Sequence, residues 1–512
     1  MLLVILMSKV STYLDIFNSN NGILLITFSL AMFLIYLCSK NISKREMIVY
    51  LLYYSSNSVA ILSCDMTIVV VAFEFMVLCA LLIIAINSST AGYNPERYKA
   101  FIHYACVHFF AGVCLLIGIC QFPFSKFLNN IPTTLFFIGL LINAAAFPMS
   151  SWVTHAYPVA SDIGIMILSV FTTKTAVYVI LKLFQGHDIL LYIGLITSIY
   201  GMIFSLLENN IRKLLCYNLV GQMGLLLISI GFNYMIATDI IVLQMALSIL
   251  YQLLLFMIAN TVINNTGNVN INEMGNILKK MPLEGICCLV ALLTMGGFPG
   301  TSGFIVKTLI LHNSELGGLK DIIFGKLFLI CSMLLLMSTG FKFFWFIFMS
   351  SAKCVNKIAK SGFFTKISML ILTCILLLSG LLYKECFFFI GIENKFSYTY
   401  GNVLSQCMIF FIAALLFYCF CNAFKGRVNF NLDVDWIYRS FLLSVILKFY
   451  TFVLYIFSIF ASLEGSTLSM IKLLNNSRRG IVKACGITSL SFTVIVGMLF
   501  ISSVVVFLCL NH

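Results

Sequence analysis

Three ionisable residues occupy stretches of this chain where charge is most costly. Glu74 lies in "TIVVVAFEFMVLCALLI", Lys174 in "SVFTTKTAVYVILKLF" and Lys307 in "GFIVKTLIL". From Ile163 to Leu181 nothing but Lys174 carries charge. A lysine at a bilayer midplane costs about 2.5–3.5 kcal/mol on insertion scales, so a residue in that place needs a reason. Desolvation disfavours the charged form of an amine and of a carboxylate alike, and groups in that condition can take up and release protons. The bland alternative is a lone charge satisfied by hydrogen bonds between helices. Three such groups in one bundle weigh against it. Lys342 and Lys448 lie nearer the ends of their apolar runs, where the amine is expected to snorkel to the interface.

The elements that must position these groups are membrane helices. With 61% hydrophobic residues, 48 Phe and only 10% charged residues, the chain is far from the roughly 25% charge of an ordinary soluble domain. It reads as an all-α polytopic membrane protein. The net charge of +13 sits in short basic clusters between apolar runs, the pattern of cytoplasmic loops, and gives no ground for a nucleic-acid partner. The 18 Cys are scattered through apolar runs without a paired CxxC set, and read as small hydrophobes, not as disulfides or metal ligands. His103, Cys106 and His108 in "HYACVHFF" form a weak candidate metal cluster set against simple helix packing, and no metal is assigned. No nucleotide, flavin, haem or iron–sulfur motif is present, so no cofactor is expected.

A bilayer core takes about 20 apolar residues per helix. On that rule spans fall near 22–39, 47–63, 65–87, 101–120, 131–148, 161–184, 188–206, 214–232, 238–263, 283–313, 322–349, 366–383, 403–423, 441–461 and 484–508, for about 14–16 helices in all. Residues 1–17 form another span or an interfacial turn, and lack the small-residue site of a removable signal peptide. Strict alternation puts "KNISKRE", "PERYK", "NNIRK", "LKK", "KCVNKIAKSGFFTK" and "KGR" on one side, the cytoplasmic one.

Two spans are expected to be broken. Pro299 and its neighbouring glycines in "GGFPGTSG" cannot sustain a helix, and Pro148 and Pro158 flank a polar turn in "FPMSSWVTHAYPVASD". Non-helical backbone at membrane depth is tolerated where it is buried in protein or lines a wet cavity, as in transporters with discontinuous helices. An ordinary proline kink is the alternative at each.

Four segments, in order, carry a resemblance. "FPMSSWVTHAYPVASDIGIMILSVFTTKTAVYVILKLF", "ENNIRKLLCYNLVGQMGLLLISIGF" and "MPLEGICCLVALLTMGGFPGTSGFIVKTLIL" resemble segments of the antiporter-like superfamily, which unites Mrp-type monovalent cation/proton antiporter subunits with the membrane subunits of respiratory complex I. "LDVDWIYRS", around Trp436, is similar to a C-terminal motif of the D-type subunits of Mrp antiporters and tilts the resemblance to that branch. The resemblance covers roughly residues 60–390. It implies a bundle of two inverted five-helix repeats, each with a broken helix, and a mid-membrane proton path in which Glu74, Lys174 and Lys307 match the family's glutamate and lysines. It further implies N-terminal helices over 1–63, an antiporter-like core over 64–390, and C-terminal helices with amphipathic segments over 391–512. The implied partners are other membrane subunits of a hetero-oligomeric antiporter or respiratory complex, protons, monovalent cations and the bilayer, in the cytoplasmic (inner) membrane. A transporter, not an enzyme, is implied; in a complex I-like assembly the chain would lack a redox site of its own.

The sequence also departs from the family pattern. Asn143 stands where the family has a lysine before the first break, and Ser248 and Gln252 replace its His and Lys. Ser150, Thr154 and His155 replace the His, Pro and Asp around Trp152. The region before Glu74 is about two helices short. Amides and hydroxyls orient water but carry no proton charge near pH 7. Two readings stay open: a wetter path completed by neighbouring subunits, or a non-conducting paralogue that keeps the fold.

Overall fold

The computed structural model describes residues 20–38, 42–86, 95–120, 130–232, 238–350, 362–383 and 398–424. The chain enters as three helices, α1 (Asn20–Cys38), α2 (Lys44–Leu62) and α3 (Met66–Ala85). Short polar residues start the second and third. Ser43 and Glu46 form a reciprocal capping box at α2, and the Asp65 carboxylate accepts from the Thr67 N–H at 2.9 Å to open α3.

After α4 (Pro95–Ile119) comes α5 (Ile131–Asn143), which stops well short of the span expected to reach residue 148. Ala145 takes a left-handed φ of 58° at that stop, a conformation costing a non-glycine residue roughly 1–2 kcal/mol. The chain resumes as the short α6 (Ser151–Ala156), passes a 3-10 turn at Tyr157–Val159 that contains Pro158, and continues as α7 (Asp162–Val170) and α8 (Thr172–Phe184). The span expected to run unbroken over 161–184 is therefore interrupted at Phe171. Neither proline nor glycine causes this. The Phe171 ring packs against Phe28 and Tyr53 at centroid distances of 5.3 and 5.5 Å, so contacts from α1 and α2 hold the break.

Next come α9 (Asp188–Leu207), α10 (Ile211–Gly231) and α11 (Thr238–Thr266). Helices α9 and α10 meet backbone to backbone: a Cβ on Gly201 would lie 2.5 Å from the Gly221 nitrogen. Between membrane helices such close approach substitutes van der Waals contact for a hydrophobic drive. The second expected break is present between α12 (Pro282–Gly296) and α13 (Ser302–Glu315), with Gly297 and Gly300 at φ of 80° and 92° on either side of Pro299. Finally α14 (Leu319–Leu335) runs on through π-helical turns to Met349, followed by α15 (Phe363–Leu381) and α16 (Tyr400–Phe424).

Among the described residues, 10 helical segments are long and apolar enough to cross a membrane. The broken pairs α5/α6 and α12/α13 add to them. Segments 162–184, 211–231 and 238–266 are almost wholly covered by protein and form the centre; the outer helices turn much of their surface outward. The spans expected at 441–461 and 484–508, the "LDVDWIYRS" motif and Lys448 lie outside the described residues. Thirteen described cysteines are free, but Cys120, just after α4, is disulfide-bonded, against the sequence expectation.

Candidate proton path

Lys174 and Lys307 are both held by main-chain oxygens at helix breaks. Lys174, 0% exposed, donates from Nζ to the Ser169 carbonyl at 2.5 Å. The interruption at Phe171 leaves carbonyls at the end of α7 without helical partners, and the ammonium takes one of them. Lys307 repeats the arrangement in the second half: its Nζ donates to the Met295 carbonyl, just before the α12 break, at 2.5 Å, and also to the Ser332 hydroxyl on α14. Gly297 serves this contact twice, supplying the left-handed turn and leaving room for the lysine stem, since a Cβ there would come within 2.8 Å of Lys307 Cδ. The Met295 sulfur accepts from Asn218 Nδ2 at 3.4 Å, and Asn218 Oδ1 accepts from Thr339 at 3.2 Å.

Lys342 is a third buried lysine. Its amine is covered by protein, 1% exposed, and its Nζ donates to the carbonyls of Leu206 at 2.6 Å and Glu208 at 2.7 Å where α9 ends. Helix C-termini carry partial negative charge and unpaired carbonyls, so a buried cation finds its partner there. A tertiary pairing of this kind leaves no trace in the apolar pattern.

Glu74, near the middle of α3, is half-buried at the edge of the outward face. It makes no hydrogen bond or ion pair among the described residues. Its carboxylate rests in a notch at Gly112 of α4, where a Cβ would lie 2.2 Å from Oε1. No hydrogen bond joins Glu74, Lys174 and Lys307 to one another.

At the first break, Asn143 is 2% exposed and its Oδ1 accepts from His108 Nδ1 at 2.9 Å. His108 packs between the rings of Tyr104 and Trp152 at 4.1 and 4.4 Å. His103 pairs with the Ser151 hydroxyl at 3.0 Å, and its ring meets that of His155 at 5.5 Å. Among the described residues no group of three or more His, Cys, Asp or Glu is placed to hold a metal, so His103, Cys106 and His108 do not form the cluster their spacing allowed. Of the remaining substituted positions, Ser150 Oγ is buried without a hydrogen bond, Thr154 turns back to the Ser151 carbonyl at 3.0 Å, and Ser248 to the Met245 carbonyl at 2.6 Å. Gln252, in the middle of α11 and 1% exposed, has both amide atoms without a protein partner.

Sequence reading missed Arg212. Read as part of a cytoplasmic basic loop, its guanidinium instead clamps the turn after the first break, donating to the carbonyls of Pro158 at 3.4 Å and Ala160 at 3.3 Å and pairing with the Asp162 carboxylate. Asn264 Nδ2 holds the other carboxylate oxygen at 2.6 Å. The "YPVASD" turn was legible; its partner across 50 residues was not.

The model of the family described as "NADH:quinone oxidoreductase/Mrp antiporter, TM" matches residues 63–331. NADH-ubiquinone oxidoreductase chain 5 of Pongo abelii is 27% identical over 201 residues, which cover 37% of this chain and 33% of that protein. The D-type subunit of the Na(+)/H(+) antiporter of Bacillus subtilis (strain 168) is 25% identical over 201 residues, covering 38% of this chain and 40% of that one. The match thus spans about a third to two fifths of these relatives' own length. A chain in the structure of the Mrp complex from Dietzia sp. DQ12-45-1b superposes with a TM-score of 0.64 at 17% identity, over 76% of this chain and 85% of the other, a likeness of fold. Matched by the family model over more than half of its length, and built with the two broken helices and buried lysines described above, this multi-pass membrane protein is a member of the NADH:quinone oxidoreductase/Mrp antiporter transmembrane family.

Proposed function

We propose that the chain is a membrane subunit of an Mrp-like cation/proton antiporter complex in the cytoplasmic (inner) membrane, moving protons along a mid-membrane path through Glu74, Lys174 and Lys307. The observation that carries this reading is the partner of each lysine, a neutral carbonyl and not a carboxylate. A carboxylate partner would lock the amine in its charged form. A carbonyl accepts a hydrogen bond from the ammonium and from the neutral amine alike, so a proton can leave Lys174 or Lys307 without loss of the contact that positions it.

The orphan amide of Gln252, in the middle of α11, supports a water-held bridge between the two lysines, because buried polar groups without protein partners are where ordered water is held. The large apolar side chains exposed on the outer helices, Ile68, Val71, Phe75 and Leu78 of α3 among them, support lateral packing against lipid and companion subunits. Purification in mild detergent is expected to bring those subunits along.

The test of conduction is proton movement into vesicles that contain the whole complex. Lys174→Ala is expected to reduce it by about tenfold or more, the scale of a lost acid–base group. Unchanged flux would transfer support to the second reading, a non-conducting structural paralogue, which the neutral residues at Asn143 and Gln252 favour. Companion quinone-reductase subunits in the purified complex would instead favour a respiratory assembly.

A further inference from the structure

We infer that His108 is the proton-carrying group of the first broken-helix layer, standing in for the lysine replaced by Asn143 and linking Glu74 to the break that holds Lys174. The inference rests on the proton-moving reading above.

Asn143 Oδ1 is an acceptor only, so the hydrogen in its 2.9 Å contact belongs to His108 Nδ1, and Nε2 keeps its lone pair. That nitrogen is buried, in a side chain 1% exposed, and has no hydrogen-bond partner among the described residues. Asn143 is therefore a positioning residue: it fixes the tautomer and leaves the basic nitrogen free.

His108 stands in a column of buried residues. Tyr104, His108 and Gly112 follow one another at single turns on the buried face of α4, a spacing of about 5.4 Å per turn. Glu74 rests on Gly112 at one end. At the other, the rings of Tyr104 and Tyr157 both pack on Trp152 at 5.5 Å with their hydroxyls buried and without a hydrogen-bond partner, while the Tyr53 hydroxyl bonds to Thr172. Thr172 opens α8 two residues before Lys174. One phenol bonded to a buried threonine, and two more phenol oxygens buried without partners, supply the hydroxyls of a relay. The other titratable groups near His108 are His103, bonded to Ser151, and His155, in ring contact with His103.

The proton arrives and leaves at the same atom. His108 Nε2 takes a proton released on the Glu74 side, the resulting imidazolium keeps its Nδ1–H on Asn143, and Nε2 gives the proton up again toward the Tyr104 and Thr172 hydroxyls. No bond other than N–H and O–H is made or broken.

Vesicles containing the whole complex, read with a pH-sensitive dye, test this. His108→Gln keeps an amide against Asn143 but carries no proton, and Tyr104→Phe removes one hydroxyl and leaves the ring. The expected result is about a tenfold loss of flux for His108→Gln, a loss of a few fold for Tyr104→Phe, and recovery when Asn143→Lys is added to His108→Gln. Flux within about twofold of the natural protein in both single variants, while Lys174→Ala abolishes it, overturns the role of His108 and leaves the proton-moving reading in place. Flux unchanged in Lys174→Ala as well removes that reading, and this inference with it.

Discussion

Lys174 Nζ lies 2.5 Å from the Ser169 carbonyl oxygen, across the break between α7 and α8. The contact explains how a fully buried cation is tolerated without a counter-ion: the break exposes a carbonyl, and the carbonyl holds the amine in either protonation state. Replacing Lys174 by Ala removes the cation and its desolvation cost together, and leaves one buried carbonyl unpaired at about 1–3 kcal/mol. The variant is expected to fold and assemble normally while transport falls. Size-exclusion profiles of the purified complex, set beside vesicle flux, separate the two effects.

Gly112 is expected to be as sensitive as an ionisable residue. Its missing Cβ is the space occupied by the Glu74 carboxylate, 2.2 Å away. Gly112→Ala pushes aside only the end of a flexible side chain, so the helices stay packed and the carboxylate moves. Flux should fall severalfold with little change in melting temperature, and Gly112→Ala combined with Glu74→Gln should be no worse than Glu74→Gln alone. Additive losses would count against a shared site.

Gln252→Lys should raise flux. The amide already sits buried with both polar atoms free of protein partners, so the site has unmet polar capacity for an amine. A gain of about tenfold is the scale of one restored acid–base group. Dye-monitored uptake at matched protein levels checks it, and no gain with normal assembly would mean that this position lies off the path.

Arg212→Ala should loosen the turn that follows the first break. It removes hydrogen bonds to two carbonyls and the pair with Asp162, whose side chain is 38% exposed and therefore partly screened. A loss of roughly 2 kcal/mol is expected, seen as a lower melting temperature in detergent. Arg212→Lys should recover only part of it, because one ammonium cannot reach the two carbonyls and the carboxylate in the fork geometry of a guanidinium.

The sequence by itself determined the class and the layout. Hydropathy acts on single segments, so the long membrane helices announced themselves, and the cost of charge in an apolar run singled out Glu74, Lys174 and Lys307. Pro299 with its glycines marked the second helix stop, because those residues forbid or disfavour helix wherever they fall, whereas the first stop, at Asn143, comes before the "FPMSS" turn that signalled it. What only the tertiary structure decided is which group satisfies which. The interruption at Phe171 contains neither proline nor glycine and depends on Phe28 and Tyr53 from other helices. Lys342 is buried because the carbonyl end of α9 lies beside it, and Asn143 is paired because His108 stands opposite, 35 residues away. A hydrogen bond in a low-dielectric interior needs both partners within about 3 Å, and a linear pattern carries the identity of each group but not that distance.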